Sequence, residues 1–176
     1  MKKIFLLLCA VLPLFASELR LKEGFVAAHT EMLLDRKIDP LNSVLRGEIS
    51  MQGDELSSLK GTFTVEMGFF KSDNSDRDKE MDEALEITKF PLATYTIEDV
   101  VKTESENNYI LKGRLAFHGE ENELSFNAEI IQDDKSVTIS AISKMWVSEY
   151  GVEMPCLLFM CVRDQVDLFA KAVLIK

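Results

Sequence analysis

The feature that most constrains this chain is a two-residue alternation of apolar and polar side chains, repeated in short and evenly spaced segments. In residues 61–69, Phe63, Val65, Met67 and Phe69 fall on one face, opposite threonines and a glutamate. Successive side chains of a β-strand point to opposite faces of the sheet, so such a segment predicts a strand with one buried face. The same pattern covers residues 44–51, 93–101, 109–117, 124–130, 137–141 and 166–174.

Two weaker segments, residues 19–22 and 26–34, bring the expectation to about eight strands. The turn-like stretch HGEEN at 118–122 separates two strand patterns and predicts a hairpin. Short antiparallel strands with one apolar face indicate an all-β fold, either a closed barrel or a sandwich. Periodicity leaves that choice open.

One segment departs from the alternation, SDRDKEMDEALEI at 75–87. Ser75 and Asp78 have the spacing of a helix capping box, and Met81 and Leu85 share one side of the helix that follows. Pro91 disfavours helical geometry at the residue before it and limits the helix. The pattern predicts a short amphipathic helix, which is either a packed connection between strands or a lid on the open end of a barrel.

The first residues have the layout of a secretory signal peptide, which we assign to residues 1–16. Two lysines precede an apolar run over 4–12 that is shorter than the roughly 20 residues needed to cross a bilayer. Residues 17–176 then form a single domain. The expected location is the periplasm, and secretion stays open as an alternative.

Charge and motif content exclude several classes of function. The chain has 20 Lys and Arg against 30 Asp and Glu, so nucleic acid is not an expected partner. No nucleophile elbow or histidine triad spacing occurs, which predicts a protein that is not an enzyme. Cys156 and Cys161 are either a disulfide pair or two buried thiols, and His29 and His118 are too far from them in sequence to suggest a metal site. No cofactor is expected.

Three motifs in order resemble those of the YceI-like family of exported lipid-binding proteins: NSDRDKEM at 74–81, FPLATY at 90–95 and GRLAFHG at 113–119. Shorter similarities lie at 28–30, 149–151 and 162–166, so the resemblance runs from residue 19 to the C-terminus. The chain departs from the family pattern at Glu80 and near Ile38, where the family has histidines.

The resemblance implies an all-β, eight-stranded antiparallel lipocalin-like barrel, with the helix near its mouth and a long-chain lipid, a polyisoprenoid or a fatty-acid amide, in its lumen. Carriage, storage and sensing of the lipid all fit. The alternative is a structural or protein-interaction β-domain with a filled core and no ligand, and a homodimer also stays open.

We assign the lumen wall to the inward residues of the predicted strands and to the sole tryptophan: Phe63, Val65, Met67, Tyr95, Ile97, Leu111, Leu115, Phe117, Leu124, Phe126, Ile130, Val137, Ile139 and Trp146. We assign the mouth and lid to Arg77, Asp78, Met81, Leu85 and His118. Arg77 and Asp78 are also candidates for an ion pair that fixes the helix. Any charged lipid head would have to be met by Arg77, Lys79, His118 and Arg163.

Overall fold

The computed structural model describes residues 16–32, 36–157 and 160–176. The predicted signal peptide lies outside this part of the chain, except for Ala16. The strands are β1 (Ala16–Met32), β2 (Arg36–Ile38), β3 (Leu41–Asn42), β4 (Leu45–Gln52), β5 (Lys60–Glu66), β6 (Leu92–Lys102), β7 (Asn108–Phe117), β8 (Glu120–Gln132), β9 (Ser136–Trp146), β10 (Cys156–Leu157), β11 (Met160–Cys161) and β12 (Gln165–Ile175). Helix α1 spans Ser75–Ala84.

Eight strands form a closed antiparallel barrel, in the order β1, β4, β5, β6, β7, β8, β9 and β12, with β12 pairing back to β1. Closure leaves none of these strands with an unpaired edge, which removes the edges that would otherwise recruit other chains. The predicted all-β barrel is therefore confirmed, and the sandwich alternative is wrong.

Strand β1 closes the barrel and is longer than the sequence predicted. Residues 19–22 and 26–32 belong to one strand of 17 residues rather than to two. A β-bulge between Leu21 and Glu23 shifts its register against β12. A bulge bends and twists a strand. Here β1 pairs with β4 over 16–20 and with β12 over 20–29.

Helix α1 begins at Ser75, as predicted, but its N-cap is Asn74 and not Ser75. The Asn74 side chain accepts hydrogen bonds from the backbone N–H groups of Asp76 and Arg77, at 3.0 and 3.1 Å. These are among the N–H groups that a helix cannot satisfy internally. The helix gives way to turns at Leu85, several residues before Pro91, which was expected to limit it.

The end of β5 also differs from the expectation. The strand stops at Glu66, and Met67–Phe69 forms one turn of 3₁₀-helix. The alternation of side chains is lost in this turn, so Phe69 is exposed and Phe70 is buried in its place.

The two ends of the barrel are packed differently. We call the end that carries α1, the β7–β8 hairpin and the 3₁₀ turn Val147–Tyr150 the mouth. The opposite half, which we call the lower half, is filled by fully buried apolar side chains: Ile49, Met51, Leu59, Ile130, Val137 and Leu174. None of the helices within the described ranges has the length and apolar composition of a transmembrane segment.

Candidate functional site

A cavity of about 200 Å³ occupies the half of the barrel next to the mouth. Its wall is formed by side chains that alternate inward from the barrel strands, together with side chains of α1 and of the mouth loops. The strands and the helix contribute Val26, Ala28, Leu45, Phe63, Val65, Ala93, Tyr95, Leu111, Leu115, Phe117, Phe126, Ile139, Ala141, Met145, Val166, Leu168, Ala170, Lys171, Ala172 and Met81. Pro40, Met67, Phe70, Leu85 and Val147 come from the turns.

This wall is apolar almost throughout. Tyr95 and Lys171 are its only residues with polar side chains among those described, and Lys171 lies at an outward, exposed position of β12. Tyr95 is buried, and burial raises the pKa of its hydroxyl. A buried polar group without a partner is costly, so such a wall favours an apolar occupant over a charged or strongly hydrated one.

Tyr95 forms the floor of the cavity together with Phe126. The Tyr95 hydroxyl donates to the carbonyl oxygens of Leu111 and Leu124, at 3.0 and 3.1 Å. The ring lies across Gly113, where an added Cβ would be only 2.9 Å from the ring and hydroxyl of Tyr95. Phe126 packs edge-on against Tyr95, with ring centroids 4.9 Å apart. The hydrogen bonds fix the ring and keep the hydroxyl away from the cavity.

Met81 of α1 and Leu85, in the turn that follows it, cover the cavity, and both reach its wall. Asp78 fixes the helix from below, because its buried carboxylate accepts from the backbone N–H and the hydroxyl of Ser72. Burial alone would raise the pKa of Asp78, but the hydrogen bonds from Ser72 and the charges of Lys71 and Arg77 together outweigh it, and the pKa is lowered. The charged helix face therefore meets water while its apolar side meets the lumen.

The proposed Arg77–Asp78 ion pair is not formed. Arg77 instead contacts the carboxylate of Asp73 at 3.2 Å and donates to the carbonyl oxygen of Lys37 at 3.3 Å. Asp78 points inward to Ser72, whereas Arg77 runs along the surface. Adjacent residues of a helix do not face each other, which explains why the pair fails.

His118 lies at the mouth but outside the cavity wall. It follows β7 in a two-residue hairpin with Gly119, and both residues have positive φ, 52° and 86°. Its Nδ1–H donates to the carbonyl oxygen of Tyr150 at 3.0 Å, and its ring contacts Phe90 at 4.4 Å between centroids. Nε2 lies 3.1 Å from Glu86 without an aligned hydrogen bond. His118 thus joins the turn after α1 to the hairpin.

The structure divides the residues assigned to the lumen into three groups. Most line the cavity: Phe63, Val65, Met67, Tyr95, Leu111, Leu115, Phe117, Phe126 and Ile139. Others are buried inside the barrel but away from the cavity: Ile97, Leu124, Ile130 and Val137. Trp146 was assigned wrongly, because it is 50% exposed on the outer face of β9.

Several wall residues were missed at the sequence level. Val166 and Leu168 alternate inward on β12, and the pattern that predicted this strand contained them. Pro40 and Val147 lie in irregular segments beside the mouth, where no periodicity marks them. Their inward placement depends on how the loops fold over the barrel.

Cys156 and Cys161 are joined by a disulfide, which links the paired strands β10 and β11. Both residues are exposed and neither reaches the cavity wall. Across the described ranges, no group of three or more His, Cys, Asp or Glu side chains is arranged to hold a metal ion.

The sequence profile of the YceI-like domain matches residues 21–174. No relative was found among curated proteins. Among solved structures, BcnA of Burkholderia cenocepacia is similar with a TM-score of 0.74 at 12% identity, covering 85% of this chain and 95% of that one.

Two further solved structures resemble this barrel. A polyisoprenoid binding domain of Saccharophagus degradans, implicated in plant cell wall breakdown, has a TM-score of 0.68 at 12% identity and covers 92% of this chain and 99% of its own. A YceI protein of Campylobacter jejuni has a TM-score of 0.62 at 18% identity, and the match covers 76% of this chain and 81% of that one. At these identities the similarity establishes the shared fold.

Proposed function

The chain belongs to the YceI-like family, and we propose that it is an exported protein that binds a lipid by enclosing an apolar part of that lipid in the barrel. The observation that carries the proposal is the apolar cavity between the Tyr95–Phe126 floor and the Met81–Leu85 cover. Burying a methylene group is favourable by roughly 0.8 kcal/mol, so such a wall binds a hydrocarbon chain without polar contacts.

The ligand class we propose is a polyisoprenoid or a fatty-acid amide. The family membership supports it, as does the likeness to a polyisoprenoid binding domain. Both ligand types present a long apolar chain, which matches the apolar character of the wall. Carriage, storage and sensing are equally served by this form of binding.

We propose the periplasm as the location. The lysines and apolar run in residues 1–16 support export. The Cys156–Cys161 disulfide supports an oxidising compartment, since disulfides persist outside the reducing cytosol. Fractionation of cells, with the disulfide read by mass before and after reduction, tests this part independently of ligand binding.

The lipid proposal is tested by native mass spectrometry of the protein purified from its own cells. Organic extraction then identifies whatever the protein releases. A stoichiometric lipid would support the proposal and identify the ligand. The same spectra give the number of chains per particle and so test the homodimer. A mass without ligand, unchanged after incubation with total lipid extract, would refute binding and favour an interaction domain.

A further inference from the structure

We propose that the barrel measures chain length: it encloses about eight carbons of one lipid chain. The chain enters tail first, and the rest of the chain and the headgroup stay outside the mouth. The inference rests on the proposed function, because it describes how that same cavity is filled. It predicts a limit to the number of methylenes that contribute to affinity.

The size of the cavity sets this limit. An apolar cavity of about 150 Å³ accommodates one benzene ring. The cavity measures about 200 Å³, which in proportion to the six carbons of benzene corresponds to about eight carbons. Sites for drug-sized ligands are larger, from about 300 Å³ upward. A polyisoprenoid of several units or a full-length fatty chain exceeds this room.

The cavity cannot deepen toward the lower half, because its floor is held in place. Tyr95 is bonded to the carbonyl oxygens of Leu111 and Leu124, and Phe126 packs against its ring. Beyond this floor, Ile130 and Val137 are completely buried in a packed interior. Close-packed interiors resist insertion of even a single extra methylene.

The direction of insertion follows from the polarity of the wall. The Tyr95 hydroxyl is already engaged, and Lys171 lies at an exposed position. A headgroup placed at the floor would lose its hydration and find no new partner, whereas the chain terminus loses nothing. The chain therefore enters first, and the head stays at the mouth in water.

The test is a series of saturated primary alcohols from hexanol to hexadecanol, each kept below its solubility limit. Equimolar pairs compete for the protein, and native mass spectrometry reads the ratio of the two complexes. We expect affinity to rise by about fourfold per methylene up to octanol or decanol. Beyond that length we expect the affinity to stay level, or to change by less than about twofold per added methylene.

The outcomes separate this inference from the proposed function. A fourfold rise that continues to hexadecanol would overturn the length limit and leave lipid binding intact. Failure of every alcohol to bind, and of the total lipid extract as well, would overturn both. A plateau that begins at octanol or decanol supports both.

A floor variant tests the cause of the limit. Phe126→Ala removes a ring from the floor and should extend the rising part of the series by several carbons. The matched control is Ile130→Val, which trims a buried side chain of the same strand that does not reach the cavity. An unchanged limit in a folded Phe126→Ala protein would refute the role of the floor, and Phe126→Leu serves if the larger truncation does not fold.

Discussion

The carboxylate of Asp78 accepts two hydrogen bonds from Ser72, one from its backbone N–H at 2.9 Å and one from its hydroxyl at 2.7 Å. Asp78 lies in the first turn of α1, and Ser72 lies in the segment between β5 and that helix. The contact therefore joins the cover of the cavity to the barrel wall, close to Phe70. The buried carboxylate of Asp78 therefore has a structural role.

We predict that Asp78→Asn lowers the free energy of unfolding by about 1 kcal/mol at neutral pH, since it replaces charge-assisted hydrogen bonds by neutral ones. The pKa of Asp78 is lowered in the folded chain, so its ionised form stabilises the fold above about pH 4. This contribution is lost as the pH falls through the folded pKa. Denaturant unfolding at neutral and acidic pH measures the difference between variant and wild type, which should close on acidification. Glu80→Gln, an exposed change on the same helix, is the control; an equal loss there would contradict the role of Asp78.

A second pH dependence arises at His29. The hydrogen bond with Asp39 raises the pKa of His29; its partial burial opposes the rise, and Glu31 adds to it. The protonated form is thus favoured in the folded chain, and the stabilisation is complete below about pH 6.5 and is lost as the pH rises through the folded pKa. We expect the thermal midpoint to fall between pH 6 and pH 8, and to fall less in His29→Gln. Lys22→Gln, on the same strand, should keep the wild-type pH dependence, and an identical fall in His29→Gln would refute the assignment.

Gly113 is required for the floor of the cavity. A Cβ at this position would lie 2.0 Å from the carbonyl oxygen of Thr96, which is backbone and cannot move aside. We predict that Gly113→Ala costs about 2 kcal/mol or more of unfolding free energy. The control is Gly68→Ala, whose Cβ would meet only Ile87 at 3.5 Å. Comparable stability of the two variants in denaturant titrations would show that the barrel adjusts at Gly113.

The Tyr95 hydroxyl gives a milder prediction at the same floor. Tyr95→Phe keeps the ring but leaves the carbonyl oxygens of Leu111 and Leu124 without this donor. The expected loss is about 1 kcal/mol in the free energy of unfolding. Tyr109→Phe is the matched change, because Tyr109 is buried in the same barrel and its hydroxyl has no hydrogen-bond partner within the described residues. Equal effects of the two changes on unfolding would argue against a special role for Tyr95.

The sequence predicted the barrel because each strand carries its own alternation, which is a local property. It could not predict which inward side chains reach the cavity, because this depends on the register between strands. Ile97 and Leu124 point inward, yet both lie opposite Gly113, against which the Tyr95 ring packs, and neither reaches the cavity. Leu111 and Phe126, farther from the mouth on β7 and β8, do reach it. A bulge between Ile97 and Asp99 shifts that register, and no local pattern reveals it.

The outward position of Trp146 could have been predicted from the sequence, whereas the side-chain contacts at the mouth could not. Val137, Ile139 and Ala141 alternate inward on β9, and the same count places Met145 inward and Trp146 outward. By contrast, Asp78 was read as a partner of Arg77, and its contact with Ser72 depends on how the loop turns before the helix. Tertiary contacts of this kind leave no periodic trace in a sequence.

Filling the cavity is the most direct prediction for function. Leu115 is buried and lines the wall, so Leu115→Trp adds a large ring to a space of about 200 Å³. Displacing a few methylenes of ligand at roughly 0.8 kcal/mol each should weaken lipid binding by at least about tenfold. Lipid uptake measured by native mass spectrometry, beside circular dichroism to verify the fold, tests this. The control is Leu92→Trp, which places the same ring at an exposed position near the mouth. Undiminished uptake by a folded Leu115→Trp protein would mean that the lipid lies elsewhere, since the indole ring takes room that the proposed ligand chain occupies.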